Sequence, residues 1–112
     1  MGYAIQESGT YRGVTEDMEL FEGETYYEDV PQWAYDKLEA DRVRSELVFT
    51  EDAWQLAEMT LISGQITSIE DEDPTALPGS VEEWRAYRVK VRAWKEGAQF
   101  FPDLMHRPIR PA

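Results

Sequence analysis

Apolar and polar residues change their rhythm along this chain. Over residues 1–30 the period is two: "DMELF" and "TYYED" alternate on either side of Glu22-Gly23-Glu24, which predicts a β-hairpin. Gly9 and Gly13 bracket "TYR", a further short strand candidate. A lone hairpin is marginal in water, so this β-rich region must lean on the rest of the chain or on a partner. From Asp29 the period becomes helical. Asp29 can cap, Pro31 suits a first turn and Gln32 can reach back as in a capping box. Trp33, Ala40, Val43 and Leu47 then recur at helical spacing. "FTED" reads as a break, with Thr50 as the N-cap of a second helix and Glu51 and Asp52 at its positive end. Leu56, Met59, Ile62, Ile66 and Ile69 form the apolar stripe of that helix. Gly64 and its β-branched neighbours leave a hairpin turning at Ser63-Gly64 as the alternative.

"EDEDPTALPG", residues 70–79, is an acidic linker, with consecutive acids, two prolines and a closing glycine. It lacks the alternating Asp spacing and central glycine of a calcium loop. The third helix has the sharpest start: Ser80-Val81-Glu82-Glu83 is a capping box directly after Pro78-Gly79. It is expected to run to Glu96, with Gly97 as its stop. Over residues 98–112, Pro102, Pro108 and Pro111 impose extended backbone. The pattern predicts an α+β fold in one small domain. A small N-terminal β-hairpin region is followed by two to three helices over residues 31–97 and by an extended, Pro-rich C-terminal arm.

Composition changes this picture in two places. Four tryptophans and six tyrosines argue for a folded chain, because a disordered one of this charge is poor in aromatics. The net charge of −12 is unevenly spread: residues 1–79 hold 19 acids and 4 bases, residues 80–112 hold 4 acids and 7 bases. Such asymmetry suggests two faces with different partners, or one segment folding back on the other. An acidic body repels phosphate backbones, so nucleic acid is not an expected partner. With no cysteine there is no disulfide framework and no thiolate zinc site. No basic-then-apolar leader is visible, and no run approaches the ~20 apolar residues of a membrane span, so the cytoplasm is the simplest location.

The sequence offers no expected catalytic, cofactor-binding or metal-ligating set. The single histidine, His106, lies in the arm between Asp103 and Arg107, and there is no Gly-x-Ser-x-Gly elbow or phosphate-binding glycine loop. The third helix carries more. Trp84, Tyr87, Val91 and Trp94 form one stripe, and Arg85, Arg88, Arg92 and Lys95 repeat the same spacing one residue later. Such aromatics are either core or a docking face, since Trp, Tyr and Arg are the types enriched at interface hot spots. The arm has the same duality. Phe100 and Phe101 can close the core with the rest trailing in solvent, or the preformed arm can lie in a partner's groove.

"WRAYRVKVRAW" followed by "FPDLMHRPIRP" resembles the C-terminal signature of the tail assembly and tail fibre assembly chaperones of tailed bacteriophages. In that family a helix W/L-x-x-Y-R-x-x-x-R-x-W leads into F-P-D-x-x-H-R-P-x-x-P. Tyr87, Arg88, Arg92 and Trp94 fill the helix, which opens on Trp84, and Phe101, Pro102, Asp103, His106, Arg107, Pro108 and Pro111 fill the arm. The match is dense over residues 84–111, and "RVRSELVFTEDAW" is similar to the family's R-x-x-E-L-x-x-T-D-W with one inserted residue. The resemblance implies a non-enzymatic chaperone without cofactor, acting in the cytoplasm of the infected bacterium. Its partner would be a tail fibre protein, bound at its C-terminal region, or another tail protein such as the tape measure. The residues from Trp84 to Trp94 and from Phe101 to Pro108 named above are then the expected partner contacts. A minor tail or baseplate component retained in the virion, and an acidic inhibitor protein, are the competing expectations.

Overall fold

The first strand is one that no local signal marks. The computed structural model describes residues 1–112, and its three short strands are β1 (Gly2–Ile5), β2 (Tyr11–Val14) and β3 (Thr25–Tyr27). They form an antiparallel sheet in the order β2-β1-β3, with Tyr3 opposite Gly13 on one side and Tyr27 on the other. As the central strand, β1 buries Ala4 and Ile5 completely. The turn from β1 to β2 closes through Gln6 N–H to Thr10 C=O at 3.0 Å. Gly9 sits in that turn at φ +91°, and a Cβ there would stand 2.8 Å from the Ala34 carbonyl oxygen. Only glycine meets both demands. "DMELF", expected as a strand, is instead an irregular connection between β2 and β3. Its backbone is claimed by side chains: Glu24 accepts the Phe21 N–H at 2.6 Å, and Arg12 donates to the Glu19 carbonyl at 3.0 Å. Arg12 also forms a bidentate pair with Glu24, both bonds 2.9 Å. These local bonds outcompete strand pairing, so β3 pairs with β1 and not with "DMELF".

A single helix, α1, runs over Gln32–Glu70, where two helices were expected. The Thr50 capping signal is overridden because Glu51 is turned inward to tertiary partners, and nothing in "FTED" is unable to continue a helix. The hairpin alternative at Ser63-Gly64 is also displaced, since both residues are helical. Gly64 is exposed and costs about 1 kcal/mol against alanine, but Ile62 and Ile66 on either side are buried and offset it. Thr60 and Thr67 are accommodated by donating to the carbonyls of Leu56 and Ser63, four residues back, at 3.2 and 3.1 Å.

The chain divides into two compact units, Met1–Ser45 and Glu46–Ala112, with α1 contributing residues to each. The first holds the sheet and the start of α1, with Ala4, Ile5, Val14 and Ala34 buried and an edge-on chain of rings from Tyr3 through Tyr11 to Tyr35. The second is built on the rest of α1 and on α2 (Val81–Ala93). Its core joins Ile62 and Ile66 to Trp84, Tyr87 and Val91, with Trp54, Met59, Leu61, Ile69 and Val81 packed around them. The α+β class is thus as expected from the period change.

The Ser80 capping box forms in full: Glu83 N–H donates to Ser80 Oγ and Ser80 N–H to the Glu83 carboxylate, each at 3.1 Å. The helix closes at Ala93, before Glu96, because the Gln55 side-chain amide reaches across to the carbonyls of Val91, Arg92 and Trp94. The Val91 carbonyl also accepts the Trp94 N–H at 3.0 Å, and Gln55 supplies a side-chain donor to this C-terminal end of the helix. Ser80→Ala is expected to lower stability by about 1 kcal/mol. A urea midpoint equal to that of the parent protein would show that Trp84 packing alone sets the helix start.

Candidate interaction surface

After α2 the chain turns through Trp94 and Phe101, whose rings meet edge-on at 5.3 Å, and both are buried. The Phe101–Pro102 peptide is cis. Asp103 then caps a one-turn 3₁₀ helix, Leu104–His106, by accepting the Met105 N–H at 2.9 Å. Beyond it residues 107–112 lie without regular structure along the helix pair.

What holds the arm is a pair of buried carboxylates on α1. Arg107 donates to both oxygens of Glu51 at 2.6 Å. Arg110 donates to Glu58 at 2.6 and 2.9 Å. Each carboxylate takes one further donor from the aromatic stripe: the Trp94 indole N–H on Glu51 at 3.0 Å and the Tyr87 hydroxyl on Glu58 at 2.9 Å. The register follows from geometry. Glu51 and Glu58 are two helical turns apart, a rise of about 10.5 Å. Three residues of extended chain, from Arg107 to Arg110, cover about 9–10 Å. One step of the arm thus matches two turns of the helix. The Arg107 guanidinium also lies over the Trp54 ring at 4.8 Å.

The electrostatics agree with this pairing. Arg107 holds the Glu51 carboxyl below the ordinary range, against the opposing effect of burial, and Arg110 does the same for Glu58. Burial first, and then the Glu58 charge, pushes the Tyr87 phenol well above its usual value, so it remains a donor. No buried polar side-chain atom is left without a partner.

The expected contact residues therefore separate. Trp84, Tyr87, Trp94 and Phe101 are buried within the second unit, and their chemistry is spent on the core and on Glu51 and Glu58. Arg107 is committed to Glu51, and Pro102 and Pro108 are half-buried. Asp103 caps the 3₁₀ turn and pairs with His106 Nδ1 at 2.9 Å. His106 stacks on Phe100 at 4.1 Å, so the lone histidine is a packing residue of the arm. Arg92 is exposed, Arg88 half-buried, and neither has an ion-pair partner.

The residues that sequence reasoning missed are Glu51, Glu58 and Arg110. A signal existed: two acids seven residues apart on the same side of α1 as Trp54 and Ile62, an apolar face, together with the repeat Arg-Pro-x-Arg-Pro. Acids on a buried face require cations to meet them.

The outward side of the arm carries large apolar side chains beside the exposed Asp103, His106 and Arg110. Phe100, Leu104, Met105 and Ile109 are all at least half exposed, Met105 at 81% and Ile109 at 88%. Ile109 and Pro111 border a shallow groove of 220 Å³ with Glu83, Ala86, Tyr87 and Lys90 of α2. No helix of the structure is long and apolar enough to cross a membrane. No protein-family model, curated protein or solved structure matches the chain.

Proposed function

We propose that this protein is a tail fibre assembly chaperone of a tailed bacteriophage. It binds the fibre protein, or failing that another tail protein such as the tape measure, in the cytoplasm of the infected cell and assists its folding or trimerisation without catalysis. The observation that carries this reading is the inversion of the arm. A segment that merely closes a core turns its apolar side chains inward and its charges to water. Here Arg107 and Arg110 face the helix pair while Leu104, Met105 and Ile109 face solvent. Phe100, stacked on His106, is also 55% exposed and is held at φ +67°. A bulky residue in that region carries a cost of roughly 1–3 kcal/mol, which burial of its ring does not offset. Apolar groups presented in this way suit the unpaired edges and apolar surface of a slow-folding, β-rich fibre. The resemblance over residues 84–111 supports the reading from the sequence side. In the proposed arrangement its buried members form the scaffold and its outward side contacts the client.

The test is co-expression with the fibre protein of the same phage, followed by pull-down. The parent protein is expected to retain the fibre. Met105→Glu/Ile109→Glu, at two exposed sites and with the fold to be checked by circular dichroism, is expected to lose about tenfold in affinity, as removal of central interface contacts does. Failure of the parent protein to retain any tail protein would refute the proposal. Its presence in purified particles would instead mark a virion component.

A further inference from the structure

On α2 a second surface has no role in holding the fold together. Arg85, Arg88 and Arg92 stand at i, i+3 and i+7, on one side of the helix, and Lys95 follows just beyond its end. Val89, 61% exposed, is four residues from Arg85 and three from Arg92, so it lies among them. None of the four cations has a carboxylate within ion-pair distance, on a chain that holds 23 acids and only 11 bases. Arg12, Arg107 and Arg110, by contrast, are all engaged with glutamates.

Two ordinary explanations fall short. Cations near a helix C-terminus are favoured by the helix dipole, which accounts for Lys90 and Arg92 in the last turn. It does not account for Arg85, in the N-terminal half, or for Arg88, in the middle of the helix. Solvated helix faces usually alternate acids and bases at i, i+4, whereas Arg85, Arg88 and Arg92 place like charges beside each other. Like charges so placed repel one another, and no carboxylate forms an ion pair with them.

We infer that the face formed by Arg85, Arg88, Val89 and Arg92 receives an acidic segment of another protein, one that sets carboxylates around an apolar side chain. Charge complementarity selects this occupant. The planar guanidinium forks bind carboxylates bidentately, and Val89 supplies a dry contact between them. A nucleic acid offers the same sign of charge, but its phosphates continue far beyond the stripe into the field of a chain of net charge −12. A short acidic segment ends where the stripe ends. The proposed chaperone role is needed only to say that this segment belongs to the client.

The experiment uses the full chain and a fluorescein-labelled peptide of alternating Glu, Asp, Leu and Trp, read by anisotropy at about 50 mM salt, where surface charges are weakly screened. The parent protein is expected to bind this peptide, with binding weakened steeply by added salt. Arg85→Glu/Arg92→Glu, at two exposed sites, is expected to bind it at least about tenfold more weakly. Arg85→Ala/Arg92→Ala gives a smaller loss in the same direction, and Met105→Glu/Ile109→Glu no change. Equal binding by the charge-reversed protein overturns the inference. So does tighter binding of a DNA oligomer of equal charge, or self-association in sedimentation that charge reversal abolishes, since the occupant is then nucleic acid or a second copy. Peptide binding without capture of any tail protein sinks the chaperone reading and leaves the stripe standing. Fibre capture unaffected by charge reversal overturns the assignment of the acidic segment to the client.

Discussion

Replacing Trp84 by alanine is expected to remove most of the stability of the second unit. Trp84 is fully buried and the largest of the fully buried side chains. Its ring meets Tyr87 edge-on at 5.7 Å, and its indole N–H donates to the Pro78 carbonyl at 3.0 Å. The backbone is shaped around it: Gly79 adopts φ +115°, and a Cβ there would stand 2.9 Å from the indole nitrogen and 2.7 Å from Pro111. The loop before α2, the start of α2 and the end of the arm therefore converge on one side chain. Truncating a buried tryptophan to alanine costs about 3–5 kcal/mol, because the cavity collapses only in part. Small units sit toward the low end of a stability range of about 5–15 kcal/mol, so the loss takes most of the margin. Thermal and urea unfolding followed by circular dichroism check this. A drop in midpoint of less than about 5 °C, worth roughly 1 kcal/mol at this size, would contradict it. Trp33, which is 42% exposed in the first unit, is the matched control, and Trp33→Ala should have a far smaller effect.

The contrast between the two tryptophans shows where sequence reading succeeds and where it stops. The start of α2 was legible because Pro78, Gly79, Ser80 and Glu83 act on one another within six residues. The α+β class was legible because the period changes near Asp29. The continuity of α1 through Thr50 was not, since it depends on Glu51 meeting Trp94 and Arg107, 43 and 56 residues away. Strand β1 lacks any alternation to mark it, and it is a strand because β2 and β3 flank it. The aromatic stripe of α2 is recognisable as a stripe, but whether it meets core or partner depends on the opposite surface. That surface proves to be α1, with Ile62, Ile66 and Glu58. The arm was legible as extended from its prolines. Which way it faces is set by two acids on another element, and their seven-residue spacing matches Arg107 and Arg110 only when the two distant segments are set side by side.

The second large effect concerns that pairing. Arg107→Ala leaves the Glu51 carboxylate buried with the Trp94 indole N–H as its remaining donor. Breaking a buried pair from one side costs about 3–5 kcal/mol where water is excluded. The Arg107 side chain is 28% exposed, so water replaces part of the loss and about 2–3 kcal/mol is expected. Arg110, 47% exposed, is screened, and Arg110→Ala should cost only about 1 kcal/mol. The order Arg107 before Arg110 is itself a test, because a loosely attached tail would show neither effect. The same pairs fix the response to acid. Both glutamates are held below the ordinary 4.5 by their arginines, so more protons bind them in the unfolded chain than in the folded one. Their contribution is complete above that value and fades as pH falls through their lowered values. On acidification the arm should therefore detach below about pH 4.5, seen as faster exchange of the Trp94 indole proton. Glu51→Gln/Glu58→Gln, which keeps the shape and removes the charge, should weaken arm attachment at neutral pH and flatten the acid response. If that double variant still retains the fibre as well as the parent protein does, the outward face of the arm is not the client contact. If retention falls together with attachment of the arm, the buried carboxylates are what present Met105 and Ile109 to the client.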